Sequence, residues 1–180
     1  MRKLTIESTK ANLMGVLFLL PAVLLFGLPF YYLWHDSINF HAEIIMLKAN
    51  IFTSLLVLLV FMVVHELLHA LAYLILTQGD YKNISFGIIW KNMTPYCHYA
   101  KPISVLQYRI AVITPGILTG VLPLIYALAI GDFIVFAFGI LFLLGAIGDF
   151  IILWIIRNER PKTMLKDHPD EIGCIIMDNE

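Results

Sequence analysis

The sequence predicts an α-helical polytopic membrane protein, with about four transmembrane helices and a cytoplasmic-side β-hairpin between the second and third. Three observations carry that expectation. The 180 residues are 60% hydrophobic and 14% charged, with a mean hydropathy of +0.85, whereas about a quarter of the residues of a soluble domain are charged. The apolar residues come in long runs, and Ile51 to Val64 holds no charge at all. Eleven of the twelve Lys and Arg residues fall in three stretches that a four-span chain puts on one side.

Taken in order, Met1 to Lys10 is a polar arm. Leu13 to Trp34 is an apolar run broken only by Gly15, Pro21, Gly27 and Pro29. It exceeds the apolar core of a signal peptide, about 7–15 residues. It also ends in Tyr31-Tyr32-Leu33-Trp34, an aromatic belt of the kind found at membrane interfaces. A retained first helix over 13–34 is expected. His35 to Lys48 reads as a short external loop with an amphipathic turn, in which His35 and His41 are surface residues. The second helix is expected over about 44–76, longer than a span requires, so it tilts or projects into water.

Gln78-Gly79-Asp80 ends that helix. Two β-prone runs then flank the turn-forming Asn92-Met93-Thr94-Pro95, which predicts a hairpin over about 83–102. The third helix is expected over 104–130, kinked at Pro115, which has no N–H to give. After Gly131-Asp132 the fourth is expected over 133–156, with Asp149 as its only ionisable residue. The tail, 157–180, is polar. In it Asp167-His168-Pro169 reads as a turn, and Cys174 to Met177 as a short strand that adds to the hairpin. No internal repeat divides the chain, so 1–180 reads as one membrane-embedded domain.

Charge sets the orientation. Arg2, Lys3 and Lys10 lie on the arm. Lys82, Lys91, Lys101 and Arg109 lie around the hairpin, and Arg157, Arg160, Lys162 and Lys166 on the tail. Only Lys48 lies opposite. Both termini and the hairpin are therefore expected in the cytoplasm. Cys97 and Cys174 are then on the reducing side and form no disulfide framework. The small size and the lack of a targeting signal suit the plasma membrane of a bacterium. A net charge of −1 gives no sign of a nucleic-acid partner.

The chemistry concentrates in His65-Glu66-Leu67-Leu68-His69. Residues four apart lie one above the other on a helix, so both imidazoles can face one metal ion. Glu66 is turned by about one helical step and can reach a water on that ion. A catalytic zinc takes three protein ligands and keeps one position open. Counting back from the inner helix ends at ~1.5 Å per residue, His65 lies roughly 18 Å deep, and His69 and Asp149 roughly 12 Å. Asp149 is thus the expected third ligand, and Gly145 and Gly148 let its helix approach closely. An aspartate in a span costs several kcal/mol without a partner, and Zn2+ is the partner this sequence best supplies. Asp132, His98 and His168 have nothing to put them at that depth. His98 and Cys97 read as loop residues, and Arg109 as a snorkelling residue at the interface.

This set of features resembles the site-2 protease clan of intramembrane metalloproteases: a His-Glu-x-x-His inside a span, a β-hairpin after it, a helix kinked at Thr114-Pro115-Gly116 and a later intramembrane aspartate. More narrowly, the chain is similar to a small bacterial family named for this motif as zincin peptidases of the membrane, which the Asp167-His168-Pro169 tail also fits. The resemblance implies His65 and His69 as zinc ligands, Asp149 as the third and Glu66 as general base. The clan's Asn-x-x-Pro and Asp-Gly are missing, since Gly148 precedes Asp149 and Phe150 follows it.

The expected activity is hydrolysis of a peptide bond in or near the membrane, on a membrane protein or peptide substrate within the lipid bilayer. An edge strand of the hairpin, Ile84 to Tyr99, would pair with the unwound substrate. Two further classes fit the same residues. One is a carrier or channel that moves protons or metal through the buried acid and histidines. The other is an inactive protein that binds a membrane partner and keeps the motif. In a purely structural role, His65, Glu66 and Asp149 would hydrogen-bond one another to hold the helices together. A glutamate after the first histidine is needed only for hydrolysis.

Overall fold

The computed structural model describes residues 1–6, 8–90, 94–168 and 172–177. The chain opens with strand β1 (Arg2–Ile6) and helix α1 (Ser8–Trp34). α2 (Phe40–Ala49) and α3 (Ile51–Leu76) follow. The hairpin is β2 (Ile84–Ile89) and β3 (Thr94–Tyr99). A short strand β4 (Ile103–Ser104) leads into α4 (Val105–Pro115), a π-helical turn (Gly116–Val121) and α5 (Leu122–Ile130). Helices α6 (Phe133–Gly145) and α7 (Ile147–Ile155) precede β5 (Met164–Asp167) and β6 (Ile172–Met177).

The protein is mostly helical, and among the described residues three apolar helices are long enough to cross a bilayer: Leu13–Trp34, Ile51–Leu76 and Val105–Ile130. A fourth span results if α6 and α7, bent by 43° at their junction, count as one. These helices are compatible with a membrane protein. α3 turns Phe52, Leu55, Leu56, Leu59, Val63 and Leu67 outward, with Phe52 85% exposed, a contiguous apolar face of the kind that marks a membrane or protein contact.

Local chemistry explains the boundaries. The Asn39 side chain accepts the Ala42 N–H and starts α2. Ser104 and Gln107 form a capping box at the start of α4. Gly131, with φ +78°, ends α5 in the left-handed conformation, and the Asp132 carboxylate caps α6 at Val135. The third span has the expected Pro115, but its irregularity takes the form of a π-helical turn instead of a simple kink.

Several expectations are corrected. The second helical run is two helices, because a turn at Asn50 separates α2 from α3, and the Asn50 side chain bonds back to the Met46 carbonyl. The fourth is broken at Ala146. The polar N-terminal arm forms a strand. β6 does not extend the hairpin. It lies between β1 and β5 in a four-stranded sheet of order β1-β6-β5-β4, with Leu4 opposite Cys174 and Leu165 opposite Ile176. That position buries Cys174 and Ile176 against Ile103, Leu165 and Ile156, which the hairpin would leave exposed. Asp167 ends β5 at the point where the chain reverses into β6, and Pro169 of the expected Asp167-His168-Pro169 turn lies outside the described residues, as do Lys91, Asn92 and Met93. The hairpin itself is present, with Phe86 opposite Cys97 and Ile84 opposite Tyr99. The core forms where α3, α4, the end of α7 and the sheet meet, around Tyr73, Tyr99, Tyr108 and Val112.

Candidate metal centre

α3 carries His65 and His69 one turn apart, with ring centroids 5.0 Å from each other. The break at Ala146 lets the chain restart as α7, with Asp149 in its first turn. The carboxylate meets both rings. His65 Nε2 lies 3.0 Å from one Asp149 oxygen and His69 Nε2 lies 3.4 Å from the other. One ligand atom from each residue falls within 4.8 Å of the others. Among the described residues no other group of three His, Cys, Asp or Glu side chains converges in this way. His65, which the sequence count puts deeper than Asp149, lies as near its carboxylate as His69 does.

The donor set fits a zinc ion. Two ligand atoms at about 2.0–2.1 Å from a tetrahedral ion lie roughly 3.3 Å apart, close to the 3.0 and 3.4 Å separations here. His69 Nδ1 lies 3.0 Å from the Ala111 carbonyl. That oxygen only accepts, so Nδ1 donates, and the neutral ring presents the Nε2 lone pair toward Asp149. A lone pair and a carboxylate at this distance repel unless a cation or a proton sits between them. The side chains of His65, His69 and Asp149 are 15%, 9% and 16% exposed, so solvent screens little of that repulsion.

Glu66 is not one of the three. It lies within electrostatic reach of all three and of the Cys97 backbone on β3. Cys97 and His98 are therefore strand residues, where loop residues were expected, and neither joins the metal group. His98 Nδ1 lies 3.3 Å from Asp167, which also accepts the Tyr99 N–H and the Tyr108 hydroxyl. Burial raises the Asp167 carboxyl above its usual value, against the pull of Tyr108 and His98. Two carboxylates, Glu66 and Asp167, thus line the inner edge of β3. Burial also pushes the thiol of Cys97 up to about 12. His35 stacks on Tyr31 beyond α1, and His41 lies in α2, both away from the site.

Arg109 departs from its expected role. Its guanidinium turns inward and donates to the carbonyls of Ile156, Arg157 and Glu159 at 2.6, 3.0 and 3.1 Å. It holds the end of α7, the helix that carries Asp149. Sequence reasoning missed this because the acceptors are backbone atoms, which no residue identity marks.

Fold and site together define a helical protein with apolar spans and a group of side chains suited to a divalent cation. Residues 58–164, more than half of the chain, match a family model described as "Putative zincin peptidase", and the chain belongs to that family. The matched stretch contains His65, Glu66, His69 and Asp149. The family's description implies a zinc metalloprotease. Neither the curated proteins nor the solved structures give a match to the chain.

Proposed function

We propose that the protein is a site-2-protease-like zinc peptidase that cleaves a membrane protein or peptide within or beside the bilayer. The observation that carries this is the convergence of His65, His69 and Asp149 between two apolar helices, with Glu66 beside them. His65, His69 and Asp149 would hold the ion. When bound, zinc supplies a Lewis acid and acidifies water toward neutral pH. Glu66 accepts the proton of the attacking water and returns it to the leaving amine.

The hairpin gives the substrate a platform. Ala100 N–H bonds to Asn83 O, so in an antiparallel ladder the alternate residues Cys97 and Tyr99 aim their N–H groups away from β2. The Tyr99 N–H is taken by Asp167. Pro95 has no N–H and that of Cys97 interacts with Glu66, so an unwound substrate along this edge would run beside Glu66 and find the Pro95 and Cys97 carbonyls as acceptors for its own N–H groups. Phe86, Ile88 and Trp90 on the hairpin are exposed and apolar, a surface suited to lipid or to an apolar substrate. The clustering of Lys and Arg supports a cytoplasmic location for both termini and the hairpin.

The test is metal analysis and cleavage by the purified full chain beside Glu66→Gln. Stoichiometric zinc in both, with proteolysis lost only in the variant, supports the reading. A Glu66→Gln protein that cleaves as well as the wild type refutes it.

A further inference from the structure

We propose that Pro115 is a positioning residue for His69, because it leaves the Ala111 carbonyl without a helical donor and so reserves it for the imidazole Nδ1–H. The inference rests on the zinc reading of the His65, His69 and Asp149 group.

In an α-helix the carbonyl of residue 111 accepts the N–H of residue 115. Here that residue is Pro115, which has no N–H. The next amide does not substitute for it. Gly116 N–H turns to Ile113 O, and the chain then enters its π-helical turn, closed by Leu122 N–H on Ile117 O. Ala111 is 0% exposed, so water does not reach its carbonyl easily. A buried carbonyl with no donor costs free energy comparable to a lost hydrogen bond. His69 Nδ1 fills the vacancy at 3.0 Å.

The consequence is chemical as well as structural. A ring that donates through Nδ1 must offer its lone pair at Nε2, the atom that faces Asp149. Histidines that bind metals almost always give their other N–H to a carbonyl or carboxylate, which fixes ring angle and tautomer. Inside an apolar span, backbone carbonyls are normally consumed by the helix itself. A proline four residues on is a simple way to spare one. The same turn also supports the other side of the site. Gly116 packs so closely that an added Cβ would lie 3.3 Å from Ala146 and from Phe150, the residues flanking the helix break and Asp149.

The experiment uses the full chain in detergent with zinc alone as the probe, and measures affinity by competition with a chromophoric chelator. Pro115→Ala restores an N–H that competes for Ala111 O. Its zinc Kd should rise about 10–100-fold. Pro123→Ala, a proline exchange in the first turn of α5, should leave the Kd unchanged. His69→Nδ1-methylhistidine removes the donor without touching the helix. It should weaken zinc by a similar factor, and by little more when combined with Pro115→Ala. Wild type that takes up no zinc sinks the metal reading itself. Wild type that binds zinc, with Pro115→Ala and the methylated ring binding equally tightly, overturns the role of Pro115 alone. An equal loss in Pro123→Ala overturns it as well.

Discussion

Arg109→Met tests how α7 is fixed in place. The last carbonyls of a helix have no helical donors, and the negative end of the dipole favours a cation there. Arg109 Nη2 meets the carbonyl of Ile156, which caps α7 and also accepts the Glu159 N–H, and those of Arg157 and Glu159 in the turn just beyond it. One nitrogen has two hydrogens, so the three contacts amount to about two full bonds. Hydrogen bonds to a charged group contribute about 1.5–3 kcal/mol each. Methionine keeps most of the aliphatic stem, so the change removes the bonds and little packing. At the lower figure the loss is about 3 kcal/mol. For a chain of this size 1 kcal/mol moves the melting temperature by about 2–4 °C, so Arg109→Met should melt roughly 6–12 °C below wild type. Arg109→Lys offers one compact charge in place of a planar fork and should lose about half as much. The assay is a thermal melt of zinc-free protein in detergent, followed by far-UV circular dichroism. An Arg109→Met protein that melts with the wild type refutes the argument and returns Arg109 to a surface role.

Two other expectations concern the site and the loop before the hairpin. Asp149→Asn removes the charge of the proposed third ligand and should weaken zinc by more than the about 10–100-fold that follows loss of a residue supporting a ligand, as read by chelator competition. Asp80 bonds Lys101, Asn83 and Tyr99, and the Lys101 ammonium at 2.8 Å does most to hold its carboxyl down at about 2. Its folded value lies below the unfolded one, so the stability it contributes is complete above the unfolded value of ~3.9 and is lost as pH falls from there toward about 2. Melts across that interval should fall more steeply for wild type than for Asp80→Asn, and parallel curves would contradict this.

The features legible in the sequence are those set by local pattern. His65 and His69 are recognisable from spacing, and Asp149 from being alone in an apolar run at matching depth. The hairpin is recognisable from β-prone segments around turn formers. What was not legible depends on distant partners. Leu4 and Cys174 face each other across almost the whole chain, and a short strand does not state which edge it will join. The Arg109 acceptors and the Ala111 carbonyl are backbone atoms whose availability depends on where a helix ends or is interrupted. The split at Asn50 was hidden for a related reason, since apolar residues continue through it and only one side chain folds back on the Met46 carbonyl.

The sheet that joins both ends of the chain has a consequence for biosynthesis. Arg2 to Ile6 leaves the ribosome before any of the apolar helices, yet its partner strand, Ile172 to Met177, is made after all of them. The opening strand must therefore wait, unpaired, while every apolar helix is inserted. A chain that stops before Ile172 would leave β1 without a neighbour and β5 paired with β4 alone, although each residue assigned to the metal site had already been synthesised.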